Sequence, residues 1–159
     1  MSYQANSIVL EVGQIAIKGN IVPDHWYQRL AFENGKPNFV AVTLLSEIVY
    51  WYRPTIEKDE ETGLAKPPLK KFKADFLQRN TKQFAAKFGF SEKQTRDGLR
   101  FLETQGLINR HLRTITTTQG MVCSNVQFIE LIPSALRSLQ KVHSYCPPGQ
   151  EGASPQKDD

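Results

Sequence analysis

Between residues 91 and 105 polar side chains recur on one side of a helical repeat, and their types suit the edges of nucleic-acid bases. With 100° per residue, Thr95, Gly98, Leu99 and Leu102 fall on the inner side, and Lys93, Arg96, Asp97, Arg100 and Thr104 on the outer. Gln94 lies at the edge of that outer face, and Glu92 and Lys93 stand in the first turn, where a groove-inserted helix reaches deepest. Arginine and lysine donate to guanine O6 and N7, glutamine pairs with adenine, and aspartate accepts from cytosine N4. The competing reading of each residue alone is an ordinary solvated helix position.

The surrounding charge favours a polyanionic partner. From Lys70 to Arg113 there are eleven basic residues against four acidic ones, whereas the rest of the chain has nine basic and twelve acidic. The formal net charge of +4 therefore conceals a segment of +7 and a remainder of −3. Lys82 and Lys87, just before the reading face, and Arg110 and Arg113, just after it, are candidates for phosphate contacts. So are Thr116, Thr117, Thr118 and Gln119 in the turn that follows.

Other chemistry is poorly represented. His25, His111 and His143 lack metal-ligand spacing, and neither a G-x-x-x-x-G-K-[ST] loop nor a Ser/His/Asp constellation is present. Asp24, Glu33 and Glu47 are separate carboxylates on different expected elements. No enzyme, metal or cofactor is expected. Cys123 and Cys146 have no framework spacing and read as reduced thiols of a cytosolic protein. The longest apolar run, residues 39–52, contains Thr43, Ser46 and Glu47 and falls short of the roughly 20 residues of a membrane span. The opening MSYQANSIVLEVG lacks the basic and apolar regions of a signal peptide. A cytoplasmic, nucleoid-associated protein follows as the expectation.

These side chains must be positioned by neighbouring elements. Residues 8–17 alternate apolar and polar types and predict a strand kinked at Gly13, or two short strands. Pro23 and Asp24 suit the entry of a helix carrying Trp26, Tyr27 and Leu30, and Gly35 breaks it. Asn38 can cap a helix over 39–52, apolar nearly all round and so expected at the centre of the core. Its Trp51, Tyr50 and Tyr52, with Trp26, read as core or as a dimer surface. Residues 55–68 predict a loop or a polar hairpin turning at Thr62-Gly63, and 72–79 an extended stretch. Asn80 or Thr81 caps a short helix to Phe88, Gly89 supplies the positive φ of a tight turn, and Phe90 plugs the angle between the helices. Ser91 caps the next helix, and Gly98 lets the preceding helix cross it closely. Strands over 107–113 and 124–131 follow, with a threonine-rich turn between them that should project into solvent. A last helix then starts at Pro133 with Leu136, Leu139 and Val142 on one side. Residues 1–145 are expected to form one domain, and 146–159, devoid of large apolar side chains after Cys146, a disordered tail or truncated linker.

The run F-A-x-K-F-G-F-S-x-x-x-T-x-x-G-L-x-x-L-E-x-x-G-L-I resembles the helix-turn-helix of winged-helix DNA-binding proteins. The strand 107–113, the turn T-I-T-T-T-Q-G and the strand S-N-V-Q-F-I-E-L follow in that family's order, so the likeness covers residues 76–131. More loosely, E-I-V-Y-W-Y, K-K-F-K, G-L-I-N-R-H-L-R-T-I and N-V-Q-F-I-E-L resemble the N-terminal domain of phage and plasmid replication initiators and replisome organisers. The long insert 55–71 departs from the common pattern. The resemblance implies an α+β winged helix-turn-helix with an extra N-terminal strand and helices and a C-terminal helix. It also implies sequence-specific binding of double-stranded DNA in replication initiation. A homodimer and other replication proteins are further partners consistent with it. A transcription regulator of the same fold, or a winged-helix scaffold for a protein partner, are the alternatives.

Overall fold

The computed structural model describes residues 2–141. Six helices and three strands follow in the order α1 (Ser7–Gly13), α2 (Trp26–Arg29), α3 (Phe39–Tyr52), β1 (Leu77–Gln78), α4 (Thr81–Phe88), α5 (Glu92–Thr104), β2 (Ile108–Thr116), β3 (Val122–Leu131) and α6 (Pro133–Leu139). The class is α+β. The expected tail 146–159, together with Val142, His143 and Cys146, lies outside the described residues.

The all-round apolar helix lies at the centre. Asn38 accepts the Ala41 N–H at 3.1 Å, and α3 then buries Ala41, Val42, Leu44, Leu45 and Ile48. Around it close Leu99 and Leu102 from α5, Ile108 from β2, Ile129 and Leu131 from β3, and Leu139 from α6. The sheet is antiparallel in the order β1-β3-β2, with β1 pairing only Leu77 and Gln78 against β3. Tyr52, at the end of α3, fastens helix to sheet: its hydroxyl accepts the Leu77 N–H and donates to the Ile129 carbonyl. Trp26 is buried with its indole N–H donated to Gln140 at 2.6 Å, which draws α2 against α6.

Three expectations need correction. Residues 8–17 form no strand. Residues 7–13 are helical instead and pair with no strand; a helix satisfies its own backbone, with Asn6 accepting the Val9 N–H at 3.0 Å. The helix after Pro23 is a single turn, since the chain must return through Gly35 at φ +82° to bring Asn38 into its capping position. The hairpin strands run to Thr116 and start at Val122, longer than the apolar alternation alone indicated. The insert is hairpin-like. Thr55 bridges Leu69 and Lys58 bridges Ala65, and Gly63 turns at φ +68° where Asp59 accepts the Glu61 and Thr62 N–H groups.

Candidate nucleic-acid interface

Two capping boxes and one glycine set the geometry of the α4–α5 pair. Asn80 accepts the Gln83 N–H at 2.8 Å while Gln83 Oε1 accepts the Asn80 N–H at 2.9 Å. After α4, Gly89 takes φ +72°, and Phe90 packs beside Phe88 with ring centroids 5.9 Å apart. Ser91 then caps α5, accepting the Gln94 N–H at 3.1 Å, and Gln94 Oε1 accepts the Ser91 N–H at 3.0 Å. Ser91 and Gln94 Oε1 thus take part in the helix start, while Gln94 itself is exposed.

The rotational phase of α5 is the one the spacing indicated. Thr95, Gly98, Leu99 and Leu102 are buried, and Glu92, Lys93, Arg96, Asp97, Arg100 and Thr104 are exposed. Gly98 has a different partner from the expected one. A Cβ there would lie 2.8 Å from Leu44 Cδ1 and 2.9 Å from Val40 Cγ1, so the close neighbour is α3, not α4. The inner face of α5 is thus seated directly on the central core helix, which leaves Lys93, Arg96, Asp97 and Arg100 outward.

The basic residues divide into two groups. Lys87, expected at a phosphate, donates instead to Glu47 at 2.6 Å, and Arg79 donates to the same oxygen at 2.9 Å. Asn20 at 2.6 Å and the Trp51 indole at 2.8 Å complete the shell around this fully buried carboxylate. Burial pushes Glu47 up, but the hydrogen bonds from Lys87, Asn20 and Trp51 and the Lys87 charge outweigh it and hold the carboxyl down at about 2. Sequence reasoning treated Glu47 as an isolated carboxylate. The signal was available, because a single acid inside an otherwise apolar helix must meet a cation or go neutral.

Arg110 and Arg113, also expected at phosphates, face acids of the fold. Arg110 grips Glu103 through Nη2 at 3.1 Å and Nε at 3.3 Å, joining β2 to the end of α5. Arg113 forms a two-pronged pair with Asp75 at 2.7 and 3.0 Å, and its guanidinium lies 5.0 Å from the Phe76 ring and 4.8 Å from the Phe128 ring. Hydrogen bonding to Arg113 holds Asp75 down at about 2. Lys82, Lys93, Arg96 and Arg100 form no ion pair among the described residues.

Two of these unpaired cations, from different elements, flank one hollow. Lys82 at the start of α4 and Arg96 on α5 line an open concavity of about 450 Å³, with Asn80, Glu92, Asn125 and Gln127 adding polar groups. Leu112, 65% exposed, lines its sheet side. Asn125 was not among the expected residues. It takes φ +58°, at a bulge where Arg113 pairs with Val126 but Ile115 pairs with Cys123. Asparagine tolerates that conformation better than most residues, but a strand-internal Asn does not announce a bulge in sequence.

Beyond the bulge the hairpin tip is polar and exposed at Thr116, Thr118 and Gln119. Thr117 is half-buried, because its hydroxyl accepts the Met121 N–H at 3.1 Å and its own N–H donates to the Met121 carbonyl at 2.8 Å. Thr117 thus closes the turn at the tip. Comparison with protein-family models, with curated proteins and with solved structures returned no match. Among the described residues no cluster of His, Cys, Asp or Glu has the arrangement of a metal site, and no helix is long and apolar enough to cross a membrane.

Proposed function

We propose that this chain binds double-stranded DNA as a winged helix-turn-helix, with α4 and α5 as the helix pair and the β2–β3 hairpin as the wing. The observation that carries the reading is the convergence of Lys82 and Arg96 on one open hollow, with Lys93 and Arg100 also exposed on α5 and without an ion pair among the described residues. Helix α5 enters the major groove, with Arg96 and Arg100 at base edges and Lys93 and Glu92 deepest. Lys82 and the wing tip at Thr116, Thr118 and Gln119 lie along the phosphates, positioning the helix without reading sequence. Asn125 and Leu112 join the interface, since they line the hollow between helix and wing. A role in replication initiation on a phage or plasmid origin is what the resemblance of 47–52, 70–73, 106–115 and 125–131 to such initiators implies.

The test is the salt dependence of duplex binding. Each neutralised phosphate contributes about −0.9 to the slope of log affinity against log salt. Replacing Lys82 with Ala should make that slope shallower by roughly one unit while weakening all duplex sequences alike. A salt-independent affinity, or no duplex binding at low salt, would leave a protein-binding scaffold as the better reading.

A further inference from the structure

Among the described residues the N-terminal helix α1 is packed into no part of the core. It buries no residue, and Ile8, Val9, Leu10 and Val12 are 48–68% exposed. An isolated helix shorter than about 12–15 residues is marginal in water even with favourable composition, and α1 has seven residues, three of them β-branched. A helix of this kind persists where a partner covers its apolar side.

A matching surface exists on the same molecule. Two adjoining hollows of about 240 and 540 Å³ run along the seam between the end of α3 and α6 and share Val49 and Leu136. Their walls are largely apolar, with Tyr52 and Leu131 extending the floor and the exposed Arg53 and Arg137 at the rim. Neither arginine forms an ion pair among the described residues. On α1, Ile8 and Val12 are four residues apart and share a face, and Glu11, three after Ile8, rides the edge of that stripe. An apolar ridge carrying one carboxylate thus complements an apolar groove rimmed by two guanidinium groups.

We propose that α1 of one copy seats in the α3–α6 groove of a second copy, with the reciprocal contact closing a two-fold dimer. The connection favours exchange. Asn20 is tied to Glu47, and Ile21 and Pro23 line the groove, so the arm departs from the groove's own edge. Within the single chain it nevertheless occupies no part of it. Reciprocal docking covers both apolar surfaces of both copies with one kind of contact, the self-complementary arrangement of a two-fold dimer. This dimer does not depend on DNA binding.

Sedimentation and light scattering on the full chain test it. The wild type should have twice the 18.1 kDa mass of the chain. The double substitution Ile8→Asp/Val12→Asp should give a folded monomer that melts where the wild type does once diluted below its dimer range, because α1 buries no residue in its own fold among the described residues. Glu11→Lys alone, and Arg137→Glu alone, should each weaken the dimer about two- to fivefold, and combining them should restore it. A wild-type monomer at high micromolar concentration would overturn the proposal, whether its arm is free or folded into its own groove by hydrogen exchange. A dimer that survives Ile8→Asp/Val12→Asp would overturn it equally, since association would then use another surface.

Discussion

The basic residues behind α4 and along the sheet differ from those on the outer face of α5 in what already neutralises them. Arg79 and Lys87 converge on Glu47, Arg110 on Glu103 and Arg113 on Asp75, all within 3.3 Å. Lys93, Arg96 and Arg100 protrude with no acid in salt-bridge reach among the described residues. In sequence the two sets lie in one stretch and contribute alike to the +7 segment. The lesson is that charge density along a chain overstates the charge available to a ligand, because the fold takes part of it for its own acids.

The largest effect that would break this comparison lies at Glu47. Replacing it with Ala leaves Arg79 and Lys87 without their counter-ion beside the core, and a loss of about 3–5 kcal/mol is expected in urea denaturation. The same group gives a pH dependence. Its folded-state value near 2 is below the ordinary 4.5, so its contribution is fully present above pH of about 5 and lost as pH falls toward 2. Stability of the Glu47→Gln variant should therefore fall less steeply across that acid window than wild type. Parallel curves would mean that Glu47 does not hold the cluster.

Gly98 sharpens the other side of the comparison, since it seats α5 on α3 and so sets how far the outer face stands out. In an exposed helix Gly→Ala stabilises by about 1 kcal/mol. Here the new methyl would meet Leu44 and Val40 at under 3 Å, and a net loss of about 1–3 kcal/mol is expected, with DNA affinity reduced as α5 is pushed outward. A more stable Gly98→Ala protein would show that α3 yields easily at the crossing.

The smallest effect belongs to Arg113. Its pair with Asp75 is largely exposed, so Arg113→Ala should cost under about 1 kcal/mol of stability. The salt slope of duplex binding should stay as it is. A slope shallower by one unit would return Arg113 to the phosphate backbone and weaken the distinction between paired and unpaired cations.

Much of the central unit was legible because it is governed by local rules. Asn38, Asn80, Ser91 and Gly89 act within a few residues of themselves, and the three-and-four spacing of Thr95, Gly98, Leu99 and Leu102 sets the phase of α5. What was not legible depends on distant partners. Asp75 meets Arg113 across 38 positions, and Lys87 meets Glu47 across 40. The α1 segment failed for another reason: Ile8, Leu10 and Val12 alternate as a strand would, but period-two patterning decides the backbone only where a sheet edge is present to pair with it. The hollow beside Arg96 depends on a bulge at Asn125 that local propensity does not specify.

The distinction between the two sets of cations is tested most directly by two double variants that remove the same charge. Arg96→Ala/Arg100→Ala and Arg110→Ala/Arg113→Ala each lower the net charge by two, so long-range attraction to DNA changes equally. Duplex affinities of both would be measured at one salt concentration, with thermal melting as the control for folding. The first should lose specific binding by about 1–3 kcal/mol per arginine while melting like wild type. The second should bind within a few-fold of wild type and melt lower. Equal losses from both variants, or the larger loss from Arg110→Ala/Arg113→Ala, would contradict the assignment of the interface to the outer face of α5.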